Sequence, residues 1–197
     1  TGADAVHPGY GFLSENPAFA EACADAGLAF VGPPAAIMHR LGNKVTAREL
    51  AIAAGVPVMP ATPPLPGDAG EAARLAAGIG YPVMLKASWG GGGRGMRVVE
   101  DEAQLAELLA AARREAMAAF GNDEVYLEKL VRRARHVEVQ ILGDNHGNLV
   151  HLYERDCTVQ RRNQKVVERA PAVFLDEDGR EALCRHALSI GRAVGYV

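Results

Sequence analysis

Tyr81-Pro82-Val83-Met84-Leu85-Lys86-Ala87-Ser88-Trp89-Gly90-Gly91-Gly92-Gly93-Arg94-Gly95-Met96-Arg97-Val98-Val99 decides how the rest of the chain is read. A short apolar run enters, four glycines turn, and a second apolar run leaves, which is the pattern of two strands joined by a loop. Consecutive glycines raise the entropy lost on ordering, so the run needs a reason. One reason is close approach of unhindered backbone N–H groups to a bulky anion. Lys86 before the loop, and Arg94 and Arg97 after it, add positive charge on both sides. The stretch therefore predicts a clamp for a triphosphate; a flexible hairpin tip is the plainer alternative.

Two other phosphate loops do not fit. No Gly-Lys-Ser/Thr run opens a helix, as a P-loop requires. Met96-Arg97-Val98-Val99 reads as a strand, where a dinucleotide fingerprint needs a helix. A glycine loop between two strands covers a nucleotide in protein kinases, but His-Arg-Asp and Asp-Phe-Gly are absent here. Because Gly90 to Gly93 carry no side chains that could pack them down, the segment over 88–95 is expected to be solvent-exposed and loosely held without a ligand.

Outward from the hairpin, Asp68 is placed to cap a helix through Ile79, and Asp101 one to about Ala119. Val125–Leu127 returns as a strand ending in Glu128-Lys129. Before these, Val56–Met59 reads as a strand running into a proline-rich boundary over 60–67. Residues 57–130 thus form a small α+β unit. At the start of the chain, His7-Pro8-Gly9-Tyr10-Gly11 is a turn-rich loop, and Asn16-Pro17 opens a helix to about Ala26. Leu28–Val31 reads as a strand, the tail of an α/β unit. Helical runs follow over 34–41 and 44–54. Lys44 opens the second, a poor place for a cation beside a helix N-terminus, so it is either solvated or aimed at an anionic ligand. In His136-Val137-Glu138-Val139-Gln140-Ile141 strict alternation puts three polar side chains on one strand face, facing solvent or a site. Residues 143–148 form a hairpin turn, and Leu149–Tyr153 pairs back. The charged run over 154–169 reads as an ion-paired loop or a site wall, with Val166–Ala170 as a further strand. Asp176–Ala193 is a closing helix.

Composition narrows the function class. The chain has 197 residues, half of them hydrophobic, with 23% charged, which suits a packed protein. A net charge of −3 gives no support to a nucleic-acid partner, which could rest only on Arg132-Arg133-Ala134-Arg135 and Arg161-Arg162. No apolar run is long enough to cross a membrane. Three separated cysteines match neither a disulfide framework nor a zinc site and suit a reducing, cytoplasmic compartment. The chain opens without Met and stops without a cap, and is expected to be a piece of a longer one.

Seven linked motifs, spread in order over the whole chain, together resemble biotin carboxylase, an ATP-grasp enzyme. They are His7-Pro8-Gly9-Tyr10-Gly11-Phe12-Leu13-Ser14-Glu15-Asn16, Gly42-Asn43-Lys44, Lys86 with the glycine loop, Glu128-Lys129, Arg135-His136-Val137-Glu138, Glu154-Arg155-Asp156-Cys157, and Gln160-Arg161-Arg162-Asn163-Gln164-Lys165-Val166-Val167-Glu168. Ser88-Trp89, Asn163 and Arg169 look most like the pyruvate carboxylases within that family. Acyl-CoA carboxylases are the neighbouring alternative, and a nucleotide-binding module without activity of its own is the alternative of another class. The resemblance implies an α/β (α+β) ATP-grasp fragment. Residues 1–43 would be the tail of a preceding Rossmann-like domain. Residues 44–197 would be an incomplete ATP-grasp domain, with a lid subdomain at about 57–130 and the start of a C-terminal subdomain at 131–197.

The resemblance also implies roles. Lys44 and Lys86 match lysines that hold ATP phosphates, and Gly90, Gly91, Gly92 and Gly93 match the lid over the triphosphate. Glu128 and Lys129 match the hinge at the adenine, with Val131 against the ring. His136 and Gln160 match nucleotide-site residues, and Lys165 matches a catalytic lysine facing phosphate and bicarbonate. The implied chemistry is ATP-driven carboxylation of biotin by bicarbonate through carboxyphosphate, with magnesium or manganese. Biotin would be carried on a domain outside this chain, in a homo-oligomeric full-length protein. No metal ligand is expected here: those of the family would lie beyond Val197, and Glu138, Glu154 and Glu168 match none of them. The stretch by itself is accordingly expected to be inactive.

Overall fold

The computed structural model describes residues 2–90 and 95–197. Gly91, Gly92, Gly93 and Arg94 of the expected phosphate loop lie outside the described residues. Alternation along β3 (Val83–Ala87) sets the central layer. Val83, Leu85 and Ala87 are buried, while Met84 and Lys86 point to the other face. β4 (Arg97–Val99) and β5 (Val125–Lys129) flank β3 antiparallel on its two edges. The register places Val83 opposite Val99 and Lys86 opposite Tyr126. α4 (Ala69–Ile79) and α5 (Glu102–Phe120) cover the apolar face. On α5, Leu105, Leu109, Ala112 and Ala116 are buried at steps of four, three and four, the period of one helix face. Both helices start where the sequence predicts, with the Asp68 and Asp101 carboxylates accepting from Glu71 N and Gln104 N.

Ahead of this unit, β1 (Ala5–Val6) pairs parallel with β2 (Ala29–Phe30), flanked by α1 (Pro17–Asp25) and α2 (Ala35–Gly42). α3 (Lys44–Ala53) is capped by Asn43, whose Oδ1 accepts from Val45 N and Thr46 N. Asn43 also donates to Glu124 Oε1 at 3.0 Å, and Lys44 N donates to Ser88 O at 2.8 Å. The start of α3 is thereby docked on the end of β3.

The strand expected at Val56–Met59 does not form. Prolines at 57, 60, 63, 64 and 66 lack the N–H groups a ladder needs. The segment is instead tied down singly: Lys129 N donates to Pro60 O, Thr62 N to Leu127 O, and the Arg113 guanidinium to Leu65 O.

The third sheet is an antiparallel meander of β6 (Val137–Gly143), β7 (Leu149–Arg161) and β8 (Gln164–Arg169). The charged run over 154–169 is not a loop: it forms the second half of β7, a strand of 13 residues with bulges in its pairing, and then β8. Only Arg162 and Asn163 turn, both at positive φ (50° and 63°), the signature of a two-residue hairpin. α6 (Glu177–Val194) packs on β6 and β7. The approach is close because Gly191 has no side chain: a Cβ there would lie 2.7 Å from Leu149 Cδ2. Buried Glu154 locks the layer, accepting from Ala172 N at 3.0 Å and Arg180 Nε at 3.1 Å.

Candidate functional site

Of the residues predicted to hold or cover the triphosphate, the described ones, Lys44, Lys86 and Gly90, lie about the end of β3. Lys44 and Lys86 lie 42 positions apart in sequence, but α3 docks beside β3 and brings their charges into mutual range. Burial, and then the nearby Lys86 charge, pushes the Lys44 amine below the ordinary lysine range. Lys44 Nζ donates to Gly90 O. Lys86 Nζ donates to Glu128 Oε1 at 2.7 Å, and Tyr126 Oη lies 3.4 Å from Glu128 Oε2. The register explains this grouping: Tyr126 is directly opposite Lys86, Glu128 is two residues on, and both share its face. Burial and the neighbouring Glu128 carboxylate raise the Tyr126 hydroxyl above its usual range, keeping it a donor.

The loop ends are not open, contrary to the expectation for 88–95. Ser88 is fully buried, its N–H donating to Glu124 O at 3.0 Å. Gly95 is buried, and its N–H donates to Glu115 Oε1 at 3.2 Å. Gly90 is exposed yet constrained, with φ at 79° and an ideal Cβ only 2.1 Å from Phe120 Cε1. Arg97, read as a flanking cation, is taken up by Glu115 at 2.7 Å.

At the hinge, the Lys129 ammonium turns away from the site face and donates to Gly80 O at 2.7 Å. Lys129 N is given to Pro60 O. Val131, two residues past the end of β5, is half exposed.

His136, Gln160 and Lys165 gather on the third sheet around Glu138. This carboxylate faces His136 Nε2 at 2.9 Å, Arg155 Nη2 at 2.9 Å and Lys165 Nζ at 2.5 Å. Gln160 Nε2 donates to His136 Nδ1 at 3.0 Å, which leaves His136 Nε2–H to donate to Glu138. Burial works against the Glu138 charge, but hydrogen bonds from Lys165 and His136 outweigh it and hold the carboxyl below its usual range. Arg155 also donates to Gln140 Oε1 and Glu168 Oε2, so the polar face of β6 is knitted together by hydrogen bonds and ion pairs. The two clusters share no hydrogen bond or ion pair among the described residues.

Sequence reasoning assigned no role to Met84, Tyr126 or Arg155. The signal for the first two was present: with Leu85 and Leu127 in the core, alternation puts Met84 and Tyr126 beside Lys86 and Glu128. Arg155 is found only through its register opposite Glu138. Among the described residues, no group of three His, Cys, Asp or Glu side chains could hold a metal ion. None of the described helices is long and apolar enough to cross a membrane.

Residues 43–197 match the family model described as carbamoyl-phosphate synthase L chain, ATP binding domain, and residues 1–38 match that of the biotin carboxylase N-terminal domain. Mouse mitochondrial pyruvate carboxylase is 52% identical over 99% of the chain, and the propionyl-CoA carboxylase alpha chain of Ruegeria pomeroyi is 50% identical over 100%. The chain spans 17% and 29% of those two proteins. A solved pyruvate carboxylase from Rhizobium etli superposes with a TM-score of 0.91 at 66% identity, covering 100% of this chain and 17% of that one. The chain belongs to the biotin carboxylase family of ATP-grasp, biotin-dependent carboxylases.

Proposed function

We propose that these residues bind MgATP on the face of β3 and β5 that carries Lys86 and Glu128, as the biotin carboxylase part of a pyruvate carboxylase. The observation that carries the ATP reading is the docking of α3 on the end of β3, where Lys44 N donates to Ser88 O at 2.8 Å and Lys44 Nζ to Gly90 O, just past the strand that carries Lys86. The charge of Lys86 disfavours the charged form of Lys44, and a polyanion bound beside both lysines would favour it. Lys44 and Lys86 hold the phosphates, and Gly90 to Gly93 form the lid. Met84 and Val131 provide apolar surface for the base, beside the hinge at Glu128 and Lys129. His136 and Gln160 complete the nucleotide site.

Lys165, carried by Glu138, faces the terminal phosphate and bicarbonate. A bicarbonate oxygen attacks the γ-phosphorus, the bond to the β-phosphate oxygen breaks, and carboxyphosphate and ADP form. Transfer of the carboxyl carbon to the ureido nitrogen of biotin then breaks its bond to the phosphate oxygen, and the proton of that nitrogen leaves with the released inorganic phosphate. In such a transfer the protein mainly positions the groups and neutralises charge. Magnesium enters as part of the nucleotide substrate, since the carboxylates here are engaged by Lys86, Arg155 and Lys165. Biotin arrives on a carrier domain as the carboxyl acceptor, and no described residue is assigned to it. Residues 1–43 are taken as the end of an N-terminal domain and 44–197 as ATP-grasp, with 57–130 as its lid. The 197 residues alone bind nucleotide without turning it over. Three unpaired buried cysteines suit a reducing compartment.

Pyruvate as the final acceptor is favoured by Ser88-Trp89, Asn163 and Arg169 and by identities of 66% and 52% to two solved Rhizobium etli pyruvate carboxylase chains. An acyl-CoA carboxylase is the second reading, favoured by 50% identity to the propionyl-CoA carboxylase chain. In the intact enzyme, Lys86→Gln is expected to raise the ATP KM by about tenfold or more, for a charge-assisted bond of about 1.5–3 kcal/mol. An unchanged KM would remove Lys86 from the nucleotide. Labelled bicarbonate entering oxaloacetate supports pyruvate as acceptor, and label entering only an acyl-CoA product overturns it.

A further inference from the structure

Lys86 and Lys44 differ in one respect that the ATP reading does not use. Lys44 rests on a neutral carbonyl, Gly90 O, whereas Lys86 is paired with a carboxylate. The Lys86 and Glu128 side chains are only 20% and 23% exposed, and their 2.7 Å contact lies on the site face of the sheet. The charges of Lys44, Lys86 and Glu128 sum to one positive charge. A single inorganic phosphate reaching Lys86 must displace a carboxylate already in place and shielded from water. A nucleoside triphosphate brings several phosphate groups and a base that binds elsewhere on the same face.

We propose that the Glu128 carboxylate is a resident counter-anion on Lys86, which incoming phosphate must displace, and that it sets the selectivity of the site for MgATP over inorganic phosphate. The inference rests on the ATP reading above. Selectivity here comes from a repulsive element as much as an attractive one. It has a use in the proposed reaction, because inorganic phosphate is a product and would otherwise compete with MgATP for Lys86. Tyr126, 3.4 Å from the second Glu128 oxygen, steadies the carboxylate in this role.

The test is Glu128→Gln in the intact enzyme, which keeps the side-chain shape and removes the charge. Inhibition by inorganic phosphate, competitive with ATP, is expected to tighten at least tenfold, while the ATP KM falls by less than that. The effect should grow from pH 6 to pH 8 as phosphate gains its second charge, and Lys86→Gln added to Glu128→Gln should abolish it. A merely structural role for Glu128 would move neither the pH trend nor the reversal.

A second measurement needs no variant. Acylation of Lys86, mapped by mass spectrometry, should be blocked by MgATP and little affected by 50 mM inorganic phosphate. Equal protection by both, or a phosphate inhibition constant within twofold of the unaltered enzyme in Glu128→Gln, overturns the proposal. If instead Lys86→Gln leaves the ATP KM unchanged, the ATP reading itself fails and this inference falls with it.

Discussion

Gly90→Ala tests how the fold and the phosphate site are joined. Gly90 has φ at 79°, in the left-handed region, where a side chain costs about 1–2 kcal/mol. Its ideal Cβ would stand 2.1, 2.4 and 2.5 Å from three carbons of the Phe120 ring. Real Cβ contacts do not approach so closely, so ring or loop must move, an overpacking cost of about 1–3 kcal/mol. The expected loss of stability is about 2–5 kcal/mol, the sum of the two. The ring is responsible for only the second part. In a Phe120→Ala background, Gly90→Ala should therefore cost only about 1–2 kcal/mol, and the cycle should show a coupling of about 1–3 kcal/mol. Urea unfolding with unchanged m-values gives the four stabilities. The site should respond as well: Lys44 Nζ bonds Gly90 O, so a displaced loop weakens ATP binding. A cost below about 0.5 kcal/mol, or the same cost in both backgrounds, would refute packing by Phe120 as the reason for glycine at position 90.

Leu85→Ala should destabilise the protein by about 2–5 kcal/mol, because Leu85 is fully buried in the centre of the helix-covered face; urea unfolding checks it. Glu138 gives a pH-dependent contribution. Its folded carboxyl is held below the usual range, so the unfolded chain binds more protons near pH 4 and stability rises with pH there. That contribution is complete above the unfolded carboxyl value of about 4.3 and is lost as pH falls below it; Glu138→Gln should flatten this acid limb in thermal unfolding, and an unaltered limb would contradict it. Lys44, with its amine pushed down by burial and by Lys86, should react with an amine-directed reagent at lower pH than exposed lysines, and MgATP should slow that reaction.

Local signals were strong where a single element decides the outcome. The caps read at Asn16, Asp68 and Asp101 accept backbone N–H groups at helix starts, and Asn43 and Asp176, not read as caps, do the same. Alternation at 83–87 identifies both the core face and the face bearing Lys86. What was illegible depends on contacts between distant segments. Nothing near Gly90 in the sequence announces Phe120, which sits at the far end of α5. The Lys44 contact to Gly90 spans 46 residues. The continuous β7 was obscured by its charges, which read as a loop until β6 and β8 supply opposite partners for Arg155 and Asp156. The absent strand at 56–59 shows the reverse case: apolar residues suggested a ladder, and prolines removed its donors.

The most direct test of the central claim uses Trp89, the chain's one tryptophan, which adjoins Gly90 at the mouth of the phosphate site. Titration of the 197-residue chain with MgATP, followed by Trp89 fluorescence, should give a saturable change that is weakened at least tenfold by Lys86→Gln. No saturable change in the unaltered chain, or an identical titration in the Lys86→Gln chain, would contradict a nucleotide site on the Lys86 face of β3.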